Sequence, residues 1–289
     1  MTMKTNKDRL VQQAVRAEVN HPTASRGYRV DWDGVPRIGL GMSGVKYNVS
    51  VGDLCYFHEE GEHTEPGLSL TNTNPGESQA LGVLGCIGNE VKLSSGDAKG
   101  TKGYITGKHG SFMCWFPPEA QEKISPGDKV KIRAWGVGLK IAGFEEKVRV
   151  NKIDPLLLEK LGIEEKDGKL IVPVTREYPC WIMGSGYGMF PVTIDYDIQT
   201  TCDLVWDELD LKDIRFGDVV CLRDQLNWWG RGYYEGAVTI GVIIHGWSYS
   251  AGHGPGVTTI LSSKDDTIVP KINPHANIAY YLGVKDRPE

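Results

Sequence analysis

Residues 238–261, VTIGVIIHGWSYSAGHGPGVTTIL, decide how this chain folds. Two apolar runs rich in β-branched residues, 238–244 and 257–261, flank a segment that holds four glycines, one proline, His245 and His253. Runs this short, without polar alternation, read as strands buried on both faces. The glycine and proline between them read as a stiff loop. His245 ends the first strand, where a hydrogen bond to a backbone carbonyl is its expected role. His253 stands between Gly252 and Gly254, with Pro255 and Gly256 beyond. Glycine lets backbone approach a ligand closely, and imidazole suits proton transfer or metal ligation at neutral pH. His253 and Gly254 are therefore the first candidate site residues.

Working outward, residues 192–200 (VTIDYDIQT) follow the glycine loop 184–188, which carries Tyr187. Alternation puts Asp195, Asp197 and Gln199 on one strand face. Two carboxylates so placed can share a cation or raise one another's pKa; the competing reading is a strand whose outer face is simply wet. Residues 219–222 form a further buried strand. Beyond it, Trp228, Trp229, Arg231, Tyr233 and Tyr234 crowd one loop, as a platform for a planar or sugar-like substrate or as a subunit interface.

The first half reads differently. Leu10, Val11, Ala14, Val15 and Val19 recur at helical spacing, predicting an amphipathic helix over residues 6–20. Short strands follow at 28–31, 46–51 and 68–70, broken by glycine and proline. Residues 57–67 gather His58, Glu59, His63 and Glu65. This His-x4-His spacing with interleaved glutamates can ligate zinc or manganese, although the glycines and Pro66 make it a loop and not the helical H-E-x-x-H site. A solvated acidic loop is the alternative. The glycine run 39–44 lacks the Gly-Lys-Ser/Thr ending of a phosphate loop, so no nucleotide cofactor is expected.

Residues 82–110 predict a small hairpin-rich barrel. Within them, residues 91–107 resemble the glycine-and-lysine hairpin of the KOW motif, in which lysines can face RNA phosphates, which makes Lys92, Lys99, Lys102 and Lys108 candidates for nucleic-acid contact. Without an aromatic platform or a longer basic stripe, a solvated hairpin is the favoured reading. A strand at 129–135 closes this part. Asp154-Pro155 starts a short helix at 156–161 that Gly162 ends. The composition shift there divides the chain into residues 1–150, a helix plus a barrel-like β domain, and residues 151–289, a sandwich-like β domain carrying the site.

Lys plus Arg number 32 against 37 Asp plus Glu, a net charge of −5 that argues against a surface devoted to nucleic acid. Six cysteines show no Cys-x-x-Cys spacing, no basic-then-apolar leader opens the chain, and no apolar run approaches the roughly 20 residues that span a bilayer. A cytoplasmic protein with buried, reduced thiols is expected.

Several stretches together resemble the bacterial and archaeal family catalogued as domain of unknown function 4438. They include Gly44-Val45-Lys46-Tyr47-Asn48-Val49, His63 with Glu65-Pro66-Gly67, Thr106-Gly107-Lys108-His109-Gly110, Met183-Gly184-Ser185-Gly186, Asp195-Tyr196-Asp197 and Gly252-His253-Gly254-Pro255-Gly256. That resemblance implies mostly β structure in two parts and no particular activity. A fainter likeness, carried by residues 184–197 and 252–254, is to the acetamidase/formamidase family.

The expected function is hydrolysis of a C–N bond in a small, including cyclic, amide. Asp195, Asp197 and His253 would be catalytic, His63, Glu65, His253 and Asp195 would hold zinc or manganese, and Trp228, Trp229, Arg231, Tyr187 and Gly254 would bind substrate, with glycine-loop N–H groups stabilising an oxyanion. The alternatives are a non-catalytic ligand-binding or assembly-forming protein, homo-oligomeric in either case, and RNA binding through the lysine hairpin.

Overall fold

The computed structural model describes residues 3–22, 29–37, 39, 41–56, 61–192, 194–200 and 203–287. His58, Glu59 and Tyr28 lie outside the described residues. A 3-10 turn at Lys7–Arg9 leads into β1 (Gln13–Val19). The short pair β2 (Arg29–Val30) and β3 (Pro36–Arg37) follows, then β4 (Leu68–Thr71), α1 (Pro75–Leu84), β5 (Glu90–Leu93), β6 (Lys102–His109), β7 (Ser111–Trp115), α2 (Pro118–Gln121) and β8 (Lys129–Ala134). Strands β1, β4, β7, β6, β5 and β8 close into a barrel in that order. The lysine hairpin forms as β5 and β6, paired from Glu90↔Tyr104 to Lys92↔Lys102.

The predicted helix at 6–20 is overturned. Val15, Ala17 and Val19 are buried at every second position while Val11, counted in the helical stripe, is exposed. Residues Gln13 to Glu18 pair with Ala134 to Lys129; closing the barrel selects the two-residue period over the helical one that the same residues also fit. The strand expected at 46–51 is likewise bends and turns, beside an isolated bridge between Val45 and Leu68.

Next come β9 (Val148–Val150), α3 (Pro155–Lys160), β10 (Glu164–Lys166), β11 (Lys169–Val174), β12 (Arg176–Tyr178), β13 (Tyr196–Asp197), α4 (Asp203–Trp206), β14 (Val219–Asn227), β15 (Arg231–His245), β16 (Gly256–Ser263), β17 (Ile268–Ile272) and α5 (Ile278–Leu282). The Asp154 side chain caps α3 by accepting from Leu156 N–H, with Pro155 opening the first turn. A six-stranded sheet runs β12-β14-β15-β16-β13 with β9 also on β16, and a three-stranded sheet runs β10-β11-β17.

The centre of the six-stranded sheet is buried on both faces, as residues 238–244 and 257–261 require. Val219, Cys221, Ile240, Val242 and Ile244 share one buried cluster with Leu170, Val172 and Val174 of the small sheet. Their neighbours in sequence, Val220, Leu222, Ile243 and Val257, point into another with Tyr178, Tyr196 and Phe216. The first cluster also takes in Val51, Ile87 and Met113. The division expected at residue 150 thus falls at the end of β9, itself a strand of the six-stranded sheet, and buried contacts cross it. Among the described residues no helix is long and apolar enough to cross a membrane.

Barrel and sheet meet where β6 passes β15. At Gly107 a Cβ would sit 2.6 Å from Ile244 Cβ, too close for any other residue without movement. This contact sets His109, two residues on, against His245, one residue on.

Candidate metal centre

Four histidines and two aspartates converge at this seam. His245 ends β15, beside a register shift against β16. His109 ends β6, just before the turn at Gly110. The loop carrying His63 is laced to the end of β15: His63 N–H donates to Trp247 O at 2.9 Å and Gly246 N–H to Thr64 O at 2.9 Å. Asp195 and Asp197 flank Tyr196, whose strand pairs with β16 through Tyr196↔Val257 and Asp197↔Gly256. His253 sits in the loop just before β16, its carbonyl accepting from Thr200 N–H.

Three of the imidazoles are tied at their outer edges. His63 Nδ1 donates to Glu62 Oε1, His109 Nδ1 to Glu65 Oε1 at 2.9 Å, and His245 Nδ1 to the Gly246 carbonyl at 3.0 Å. Their remaining nitrogens turn inward. His63 Nε2 lies 3.0 Å from His253 Nδ1 and 3.4 Å from Asp197 Oδ2; His245 Nε2 lies 2.9 Å from Asp195 Oδ2 and 3.4 Å from Asp197 Oδ1; His253 Nδ1 lies 2.9 Å from Asp197 Oδ2. The His109 ring stacks parallel to His63 at 5.4 Å and sits 4.3 Å from His245. Potential ligand atoms of His63, His109 and His245, of His63, Asp197 and His253, and of Asp195, Asp197 and His245 lie within 4.8 Å of one another in each set. A histidine whose outer N–H is held by a carboxylate or carbonyl is the usual arrangement of a metal ligand, because it fixes the tautomer and makes the inner nitrogen a better donor.

The electrostatics follow from burial and pairing. Burial alone would raise Asp197 and lower His245. Hydrogen bonds and charge between them reverse both shifts, with Asp195 also acting on His245 and with His253 and His63 on Asp197; Asp197 is held well below the usual carboxylate range and His245 well above the usual imidazole. Burial opposes ionisation of Glu65 too, but His109, Lys46 and Ser69 bring it down to about 2. Gly256 is needed beside this cluster, since a Cβ there would collide with His245 Nε2 and Asp195 Oδ2.

The structure brings His63, Asp195, Asp197 and His253 together and separates other candidates from them. Glu65 stands behind His109: its oxygens accept from His109, Ser43 N–H and Ser69 Oγ. Arg231, 2% exposed, donates to the carbonyls of Gly186, Ile194 and Asp195 and so fastens the loop that carries Asp195. Gly254 N–H faces Asp197 Oδ2 at 3.4 Å, Gly184 N–H donates to Asp197 O and Ser185 N–H to Gly252 O, so these glycine-loop donors are committed to the fold. Trp228 Nε1 donates to Ser262 O under Arg149, while Trp229 and Tyr187 are exposed. Sequence reasoning missed His109 and Glu62 and gave His245 only its carbonyl bond. The signals for His109 were its place between a strand and Gly110 and its presence in the Thr106-Gly107-Lys108-His109-Gly110 stretch of the family resemblance. Burial pushes the Cys86 and Cys221 thiols up to about 12.

Residues 28–159 match the N-terminal part of the domain of unknown function DUF4438, and residues 160–282 match its C-terminal part. The chain belongs to this family. Neither match is to the acetamidase/formamidase proteins. A solved structure titled "Crystal structure of TM1086" is similar to this DUF4438 chain at 42% identity and a TM-score of 0.93, covering 98% of this chain and 100% of that one. No protein of curated function matches. Within the DUF4438 chain the donors come from both segments: His63 and His109 from the N-terminal one, and Asp195, Asp197, His245 and His253 from the C-terminal one.

Proposed function

We propose that this protein is a divalent-metal-dependent hydrolase acting on the C–N bond of a small amide. The observation that carries the reading is the set of three histidines tied outward by Glu62, Glu65 and Gly246 O, with the inner nitrogens of His63 and His245 facing two buried aspartates and His109 grouped with both. Nitrogen and carboxylate donors of this kind suit zinc or manganese. A bound ion lowers the pKa of its water to about 7, producing a nucleophile at neutral pH. Attack of such a water on the amide carbonyl would break the C–N bond to give a carboxylate and an amine, and a carboxylate of the cluster would pass the water's proton to the departing nitrogen. With the Gly184, Ser185 and Gly254 N–H groups committed, an ion held here would stabilise the oxyanion. His253, whose side chain is 30% exposed, marks the mouth.

The test is metal analysis of purified protein reconstituted with zinc or manganese, followed by assay against a panel of linear and cyclic amides. Bound metal, turnover abolished by chelation and turnover lost in His245→Ala are expected. No bound metal, or hydrolysis unaffected by His245→Ala, overturns the reading.

One observation favours an assembly role alongside it: Trp229, 73% exposed, lies on the β14–β15 hairpin with exposed Tyr233 and Tyr234, a composition enriched at interfaces. Light scattering of a Trp229→Ala/Tyr233→Ala variant tests this; a fall in mass supports a homo-oligomer and an unchanged mass rejects this surface as its interface.

A further inference from the structure

The geometry points to two divalent ions in this centre, bridged by the carboxylate of Asp197, an assignment that rests on the metal reading above and deepens it. The two oxygens of Asp197 face different donors. Oδ2 is 2.9 Å from His253 Nδ1 and 3.4 Å from His63 Nε2. Oδ1 is 3.4 Å from His245 Nε2, which is itself 2.9 Å from Asp195 Oδ2. The donors therefore divide into His63, His253 and Asp197 Oδ2 on one side, and His245, Asp195 and Asp197 Oδ1 on the other. His109 borders both sides, its ring 4.3 Å from His245 and 5.4 Å from His63, and its nearer neighbour puts it with the second.

Donor number leads to the same division. A single zinc takes four protein ligands when structural and three when catalytic, the remaining position being left for water or substrate. Six donor residues around one ion would leave no open position even on an octahedral metal. Shared between two ions through Asp197, the same six give one ion three protein donors and the other four, which leaves a position open on the first even for tetrahedral zinc and on both for an octahedral metal. A carboxylate offering one oxygen to each ion is a natural bridge, and the paired ions clamp attacking and leaving groups together. Ions held by these two donor sets would supply a hydroxide nucleophile at neutral pH and polarise the amide carbonyl. Gly256 keeps the second half open, since any side chain there would fill the space between His245 and Asp195.

The probe is Mn2+ alone. Protein stripped with chelator, reconstituted with Mn2+ and freed of excess is analysed for metal per chain and by low-temperature electron paramagnetic resonance. About two Mn2+ per chain with an exchange-coupled spectrum are expected, as for ions about 3.5–4 Å apart. His253→Ala and His109→Ala should each reduce the count to about one and replace the coupled spectrum with that of an isolated ion. The wild-type spectrum decides the matter even if a variant fails to fold. One Mn2+ per chain with an isolated-ion spectrum overturns the bridge and leaves the metal reading standing; no Mn2+ and, on repetition, no Zn2+ overturns both.

Discussion

The barrel and the six-stranded sheet treat polar side chains in opposite ways. In β8 of the barrel, Val130, Ile132 and Ala134 are buried while Lys129, Lys131 and Arg133 face outward. In β16 of the sheet every residue is buried, Thr258, Thr259, Ser262 and Ser263 included. Water satisfies a polar group on a one-sided sheet; a two-sided sheet must supply partners itself. Thr239 Oγ1 accordingly donates to Gln225 O, and Asn227 Nδ2 to Tyr196 OH and Thr259 Oγ1. The same histidine or aspartate thus means different things in the two halves: on the barrel's outer face it says little, and at the end of a two-sided strand it is held in a place where only a partner or a ligand justifies it.

The largest expected effect tests that contrast directly. Ile240→Ala, at a fully buried position in the sheet, should destabilise by about 2–5 kcal/mol, and Lys131→Ala on the barrel by less than about 0.5 kcal/mol, both by urea unfolding. Comparable losses from the two would erase the distinction. Next is Asp218, just before β14, whose burial pushes its carboxyl up from 3.8 to about 6 against the pull of hydrogen bonds from Asn277 and Arg215 N–H. A raised carboxyl favours the protonated fold, so its contribution is fully present below about pH 4 and is lost as pH rises through about 6. That loss is at most about 3 kcal/mol. Asp218→Asn does not titrate there, so the stability difference between variant and wild type should shift in the variant's favour between pH 4 and 7; a difference independent of pH rejects the assignment.

The contrast also explains how much was legible in the sequence. Residues 238–244 and 257–261 announce strands because burial on both faces leaves no room for polar alternation. Asp195, Asp197, His63 and His253 were named because glycine loops and paired charges mark them locally. The N-terminal stretch was misread because Val15 and Val19 satisfy both periods, and only pairing with Lys129–Ala134 chooses between them. His109 and His245 each look like a solitary histidine ending a strand; their meeting depends on the approach of β6 to β15 at Gly107, a long-range fact with no local trace. Glu65 is a ligand candidate in the sequence because a carboxylate stands near a histidine, but sequence does not show which of the two faces the interior of the cluster and which holds the other in place.

Glu65→Gln separates those two roles. A carboxylate behind a metal-ligating imidazole typically changes metal affinity by about 10- to 100-fold when altered, and a drop in Zn2+ or Mn2+ affinity of that size is expected by calorimetry, with binding retained. Complete loss of binding would make Glu65 a ligand. On the barrel surface, Glu77→Gln, which removes the charge that pairs with Arg16 and accepts from Asn72, should leave the affinity unchanged.

The smallest effect is expected at the lysine hairpin, where the barrel's outward-facing rule is purest. Lys92, Lys99 and Lys102 are exposed, whereas Lys108, the fourth lysine of that stretch, is buried with its ammonium over the Phe112 ring. Three solvated lysines, one of them paired with Glu90 at 2.8 Å, contribute little: exposed ion pairs contribute about 0–1 kcal/mol. The triple variant Lys92→Gln/Lys99→Gln/Lys102→Gln should therefore unfold within about 1 kcal/mol of the wild type and bind metal unchanged. The same variant examines the hairpin's likeness to RNA-binding loops. Binding of single-stranded RNA that weakens steeply with salt in the wild type and disappears in the variant would give these lysines a phosphate-contacting role, and the barrel's outer face would then carry a function of its own instead of serving as the wall that holds His109 against the sheet.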